Sequence, residues 1–304
     1  MVLTTHFLNL ILKNPVAVGA GTFGYGEEIS EFMDVSQLGA LVVKGTSFEP
    51  WSGNPPPRIC ETPAGMLNSI GLQNEGLEYF IDHTMPKLRR LNVPVIVGVF
   101  DKTAENYAKI ALRLDKVPGI AALELNLSCP NVKKGGQTFC STPHLMREVI
   151  QRVKKATKLP ILAKLSPTVT DIVAIAHAAV EEGANGLTLI NTVVGMSIDI
   201  ATKRPRTHTN VGGLSGPAIH PIAIANIWKV RRALQNIPIL GIGGIHDVET
   251  AIETLLAGAN VIGIGTANFY NPTICLEIIQ GLEDYCTKNS ILSVSALTGT
   301  VKDF

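Results

Sequence analysis

Eight short apolar runs constrain this chain more than any other feature. They cover residues 16–21, 40–46, 94–100, 122–128, 160–166, 186–192, 238–244 and 261–267. Each is rich in Val, Ile or Leu and lacks polar alternation, and six of the eight end in Gly, Ser or Thr. Strands buried on both faces have this pattern, and such strands belong to parallel sheets covered by helices. Amphipathic stretches lie between the runs. Residues 170–182 open on Thr170-Asp171 and close at Gly183, and residues 247–257 are capped by Asp247 and closed by Gly258. Both are expected helices. Eight strand–helix alternations in one chain predict a closed (β/α)8 barrel, an α/β fold, over a single domain of residues 1–304. Periodicity does not register closure, so a doubly wound open sheet is the alternative. Against it, Gly19-Ala20-Gly21-Thr22-Phe23-Gly24 only approximates the dinucleotide glycine spacing, and no ribose-binding acid stands out after it.

Residues 47–74 interrupt the alternation with prolines, glycines and polar side chains. Following the second strand, this insertion is expected over the C-terminal mouth of the barrel, where substrates bind; a plain surface excursion has the same composition.

Apolar residues make up 46% of the 304 positions and charged residues 17%, with a formal net charge of +1. No broad positive field is available to hold nucleic acid. The apolar runs at 94–100 and 238–245 are too short to span a bilayer, and the N-terminus lacks a basic, then apolar, leader. A cytoplasmic protein is the expectation. The five cysteines, Cys60, Cys129, Cys140, Cys275 and Cys286, form no Cys-x-x-Cys pair. Reduced thiols are expected, with no metal or iron–sulfur site in this chain.

In a parallel barrel the strand interiors fill the core and the C-terminal ends face the active site. Those ends carry Thr22, Lys44, Asn126 with Ser128 and Cys129, Lys164, Asn191-Thr192, Gly243-Gly244 and Gly265-Thr266. Two lysines in apolar strands each need a compensating anion or acceptor, as a functional site or as a structural ion pair supplies. Glycines after strands seven and eight, with a helix starting at Asp247, form the pattern of a barrel phosphate site, and Leu214-Ser215-Gly216-Pro217 can close it. Cys129 stands at a strand terminus among polar residues, with Pro130 turning the chain away. A thiol there can act as a nucleophile or a general base, or simply be a small buried apolar residue. The loop 131–137 carries glycine hinges suited to closing over the site.

The segments Gly65-Met66-Leu67-Asn68-Ser69-Ile70-Gly71-Leu72-Gln73-Asn74, Glu124-Leu125-Asn126-Leu127-Ser128-Cys129-Pro130-Asn131, Lys164-Leu165-Ser166-Pro167 and Gly212-Gly213-Leu214-Ser215-Gly216-Pro217 together resemble the class 1 dihydroorotate dehydrogenases. The stretch from Asn131 to Gly136 is most similar to the NAD-linked class 1B. The resemblance implies one FMN per chain, contacted by Thr22, Lys44, Gly45, Asn126, Lys164 and Ile190, with its phosphate on Gly216, Gly243, Gly244, Gly265 and Thr266. It places substrate on Lys44, Asn68, Ser69, Ile70, Gly71, Leu72, Asn126, Asn191 and Thr192. It makes Cys129 the base that removes the C5 proton of dihydroorotate while hydride leaves C6, in the route to pyrimidine nucleotides. Electrons would then reach NAD+ through a partner subunit carrying FAD and a [2Fe-2S] cluster, in a heterotetramer of two copies of each chain. One departure stands out: where the family commonly has Asn at the end of strand three, this chain has Gly98. Rival expectations are a class 1A homodimer using fumarate, a tRNA dihydrouridine synthase, for which the basic surface and added helical domain are missing, and a non-catalytic flavin-binding scaffold.

Overall fold

The structure, a computed structural model, describes residues 2–127, 139 and 142–303. Its centre is an eight-stranded parallel sheet. Numbered by their place in the barrel, the strands are Val16–Val18, Leu41–Thr46, Val95–Val99, Ile120–Asn126, Ile161–Leu165, Gly186–Leu189, Ile239–Ile242 and Val261–Ile264. Each pairs with its neighbours in sequence, and the eighth pairs with the first through Ile262↔Val16. A parallel bridge between Ala17 and Ala40, with the Gly39 amide donating to the Val16 carbonyl at 2.8 Å, joins the first strand to the second. That contact turns the sheet into a barrel and removes its last free edge.

All eight expected strands are present, most of them shorter at their C-terminal ends than their apolar runs. The first stops at Val18 because Thr22 folds back on Gly19, its amide and its hydroxyl both donating to that carbonyl at 3.3 and 2.9 Å. The sixth stops at Leu189, yet Ile190 and Asn191 still donate to Ile242 and Leu165 on either side, both at 2.8 Å. The chain thus leaves the ladder where its polar residues turn toward the mouth.

The outer helices begin on side-chain caps. Asp171 accepts from the amides of Val173 and Ala174 to open Ile172–Glu181. Asp247 and Thr250 form a reciprocal capping box at the head of Val248–Ala257, which ends on Gly258. Each cap satisfies amides that the first helical turn leaves without acceptors.

Two elements depart from the strand–helix pattern. An N-terminal hairpin, Thr5–Phe7 with Leu10–Leu12, precedes the barrel. Its Phe7 and Leu12, each 1% exposed, pack against Ala17, Ala40, Val42, Ile96, Ala122, Leu162, Leu240 and Val261. These are inward residues in the N-terminal part of the barrel, so the hairpin plugs that end with apolar bulk. The second element lies in the segment 47–74, which composition presents as an irregular insertion. There the strands Ile59–Thr62 and Gly65–Asn68 form a hairpin. Gly65–Asn68 pairs in turn with Gly212–Ser215, and Gly212–Ser215 with Val193–Gly195, making a four-stranded antiparallel sheet from chain that follows strands two and six.

Candidate functional site

Strand periodicity builds the interior of the barrel in layers, because residues two apart point to the same side. Above the apolar floor of Val42, Ile96, Ala122 and Leu162 come, two residues on, Lys44, Gly98, Glu124 and Lys164. Two further residues along strand four stands Asn126.

Glu124 and Lys164 are almost wholly buried, 2% and 7% exposed. The Lys164 ammonium lies 3.4 Å from Glu124 Oε1, and Thr188 on strand six donates its hydroxyl to Oε2 at 2.8 Å. This carboxylate is the compensating anion that an ammonium inside a strand requires. It occupies a charged position of an otherwise apolar strand, on the same face as Asn126, and the two-residue period alone identifies it as an interior group. Lys44 is different. It is half-buried, and among the described residues no carboxylate lies within ion-pair distance of its ammonium. Burial holds its pKa below the usual lysine range and the charge of Arg58 adds to this, against the opposing pull of Glu75 and Glu28. The mouth therefore contains one neutralised lysine and one whose charge is only distantly compensated.

The asparagines converge. Asn191 donates its amide to Asn126 Oδ1 at 3.2 Å, and Asn191 Oδ1 accepts from the Thr192 amide at 2.8 Å. The Asn126 carbonyl accepts from the Tyr107 hydroxyl at 2.7 Å, which fixes the end of strand four. Asn68 donates to the Gly213 carbonyl at 3.3 Å across the four-stranded sheet. The segment from Ser69 to Leu72 is held by two residues that the sequence alone does not single out. Asn54 donates its side-chain amide to the Ser69 carbonyl at 2.9 Å and its backbone amide to the Ile70 carbonyl at 3.0 Å. Asn74, 5% exposed, donates to the Leu72 carbonyl at 3.0 Å and accepts from the Ser47 and Gly76 amides. Within this segment the Ser69 hydroxyl is buried and has no partner among the described residues. No hydrogen bond joins Lys44 or Thr22 to the asparagine cluster among the described residues; they share only the same end of the barrel.

At the ends of strands seven and eight, three stretches of backbone approach closely. A Cβ on Gly244 would lie 2.8 Å from the Gly216 carbonyl oxygen, and one on Gly216 would lie 2.7 Å from Gly65 Cα. Both residues have positive φ, 69° and 96°, so each is a position that glycine alone fills without strain. Thr266 donates its hydroxyl to Ser215 Oγ at 2.7 Å, tying strand eight to the same point. The amides of Gly244, Gly265 and Thr266 donate to no backbone carbonyl among the described residues. A cavity of about 610 Å³ opens here, lined among others by Gly65, Gly216, Gly244, His246, Thr266 and Tyr270. Uncommitted amides around a glycine-walled hollow are donors arranged for an anion such as a phosphate monoester.

Gly98 faces inward against strand two. A Cβ there would lie 3.0 Å from both Gly45 Cα and the Val43 carbonyl oxygen, where the register of strand two shifts between Val43 and Thr46. Backbone fills the space that an asparagine at this position would need.

Ser128, Cys129 and the loop 131–137 lie outside the described residues. Among the described cysteines, Cys275 and Cys286 are buried in the helix Ile274–Lys288, and burial raises both thiols, Cys275 to about 12. They remain protonated near neutrality and take no part in the mouth. Cys60 is half-buried on Ile59–Thr62. Among the described residues no helix is long and apolar enough to cross a membrane.

A parallel barrel with an anion cradle after strands seven and eight, and lysines and asparagines at its mouth, defines the class of barrel proteins that hold a phosphorylated cofactor over their strand ends. The comparisons narrow this class: the chain belongs to the dihydroorotate dehydrogenase family, whose profile matches residues 2–286. It is similar to the protein named dihydroorotate dehydrogenase B (NAD(+)), catalytic subunit, of Desulforamulus reducens, with 50% identity over 299 residues, 96% of this chain and 98% of that one. Proteins of the same name from Geotalea daltonii and Desulforudis audaxviator are 47% and 48% identical, covering 99% and 95% of this chain and 98% and 94% of their own. The family is one of FMN-dependent oxidoreductases. The donor set fits that group: amides at the cradle that donate to no backbone carbonyl among the described residues suit its phosphate, and Gly265, where a Cβ would meet nothing nearer than 3.9 Å, leaves room beside it.

The buried pair gives a direct test. Replacing Glu124 with Leu strands the Lys164 ammonium in the barrel, and such a change costs about 3–5 kcal/mol of unfolding free energy. Denaturant unfolding reads this; a loss below about 1 kcal/mol, the size of a surface ion pair, would mean that the pair is not desolvated.

Proposed function

We propose that the chain oxidises (S)-dihydroorotate to orotate in pyrimidine biosynthesis, with residues 1–304 acting as a single flavin-binding unit. The observation that carries this reading is the meeting of two arrangements at one barrel mouth: an amide cradle suited to a cofactor phosphate, and a lysine–asparagine set suited to a planar, anionic pyrimidine. Gly216, Gly243, Gly244, Gly265 and Thr266 would hold the phosphate of one FMN, and Thr22, Lys44, Gly45, Asn126, Lys164 and Ile190 would contact the rest of it. When bound, FMN supplies the acceptor for the hydride that leaves C6 of the substrate.

The chain's own residues supply the remainder. Asn68, Asn126 and Asn191 present amide donors and acceptors that match the amide edges of the pyrimidine, and Thr192 adds a hydroxyl. Ser69, Ile70, Gly71 and Leu72 line the same region, and the buried Ser69 hydroxyl has hydrogen-bonding capacity to spare. The under-compensated ammonium of Lys44 is the natural partner of the substrate carboxylate. Lys164, held in place by Glu124, would offer the N–H donors of its ammonium to negative charge developing on the cofactor. Cys129 takes the proton from C5 as the C5–H and C6–H bonds give way to the double bond of orotate.

The relatives that share the name dihydroorotate dehydrogenase B (NAD(+)), catalytic subunit, support NAD+ as the final acceptor and a second, electron-transferring subunit. We assign FAD and a [2Fe-2S] cluster to that subunit, with two copies of each chain in the assembly. The five cysteines of this chain include no cluster-type set.

Cys129→Ala is expected to keep FMN bound while slowing the reduction of that flavin by dihydroorotate by at least about a hundredfold near neutral pH, the usual scale of a lost general base. Stopped-flow absorbance reads it, and undiminished flavin reduction in the variant would remove the assigned role. A second expectation concerns pH. Lys44 has a lowered pKa in the free protein, and a bound carboxylate raises it again. Orotate affinity is then constant at low pH, where Lys44 is charged both free and bound. It falls as pH rises through the free-state pKa, because binding must take up a proton. Orotate titrations across alkaline pH test this, with Lys44→Met as control; the same pH profile in wild type and variant would contradict the carboxylate contact.

A further inference from the structure

His220 stands behind the cradle, at the head of the helix His220–Ala233 and 7% exposed. Its Nδ1 lies 2.9 Å from the Gly243 carbonyl oxygen, and its Nε2 lies 3.0 Å from Glu253 Oε2. The Gly243 carbonyl and the Gly244 amide belong to one planar peptide unit, and in a trans unit the two point in opposite directions. A donor that holds the carbonyl on the helix side therefore turns the Gly244 N–H toward the cavity. Such a pin is needed because both flanking glycines have positive φ, 143° and 69°, in a region where glycine backbone reorients at little cost. The fit behind the unit is close, since a Cβ on Gly244 would lie 2.7 Å from His220 Cβ.

We propose that His220 is a positioning residue for the phosphate cradle: by donating Nδ1–H to the Gly243 carbonyl, it fixes the peptide plane whose amide faces the cofactor phosphate. Glu253 holds the ring from the other side. The Gly243 carbonyl can only accept, so the proton of that hydrogen bond sits on Nδ1. Asp247, at the head of the next helix, and His246 are the other titratable groups nearby, and His246 and His220 are among the groups that lower the Asp247 pKa.

This inference rests on the assignment of the cradle to the FMN phosphate, and the test separates the two. The full-length chain, freed of flavin, is titrated with FMN and with riboflavin, which lacks the phosphate, and the ratio of the two affinities is the readout. Wild type should prefer FMN. His220→Leu should lower that preference by about tenfold, the scale of one charge-assisted hydrogen bond, and leave riboflavin binding within about twofold. Should the Leu variant fail to fold, Asn and Gln decide. His220→Asn places an amide nitrogen near the position of Nδ1 and should keep most of the preference, whereas His220→Gln places it near Nε2 and should lose it. An unchanged ratio in His220→Leu, equal losses of FMN and riboflavin, or identical ratios for Asn and Gln would overturn the role of His220. A wild-type protein that binds riboflavin as tightly as FMN would remove the cradle assignment, and this inference with it.

Discussion

The pairing of Lys164 with Glu124 inside the barrel is the interaction on which the rest of the site depends. A buried ammonium is costly by itself, and its carboxylate partner, also bound by Thr188, converts two costly charges into one neutral, hydrogen-bonded unit spanning strands four, five and six. Below it the barrel is apolar and sealed by Phe7 and Leu12; beyond it, toward the strand ends, Asn126 and Asn191 meet. The pair thus marks the boundary between a core that stabilises the fold and a surface available for chemistry. It also sets Lys164 apart from Lys44, which has no carboxylate within ion-pair distance among the described residues, so the two lysines differ in their electrostatic surroundings.

Much of this was legible in the sequence. The barrel strands read as continuous apolar runs because helices cover one face and the barrel interior the other, and all eight are found. The apolar runs extend past strands one and six because Gly19 to Gly21 and Ile190 to Thr192 are compatible with a strand, while tertiary hydrogen bonds take them out of the ladder. The four-stranded sheet was not legible. Its strands have at most four residues each, three of the four contain glycine, and the pairing of Asn68 with Gly213 joins positions far apart in the chain. Local pattern carries no trace of such a partner. Glu124 is legible by the strand period of two, which puts it on the same face as Asn126. His220 could not be found from sequence, because its significance lies in a carbonyl oriented toward it only in the folded chain. Gly98 marks a departure that sequence could note and structure could explain, through the backbone of strand two pressed against it.

The two ends of the site answer to different physics. The cradle is backbone: amides that donate to no backbone carbonyl among the described residues, glycines at positive φ, and a hydroxyl tie between Thr266 and Ser215. It selects charge and is indifferent to side-chain identity beyond the need for glycine. The mouth is side chain, built from lysines and asparagines on separate strands whose positions the barrel fixes. On the proposed assignment, that division would let one scaffold hold a cofactor by its phosphate and present the reactive part to a substrate.

The central claim is that this mouth holds a flavin which dihydroorotate reduces. The most direct measurement is the visible spectrum of the purified protein during anaerobic titration with dihydroorotate. The account predicts a bound flavin spectrum that bleaches in proportion to substrate, with orotate formed in equal amount. A flavin that stays oxidised under excess dihydroorotate would contradict it.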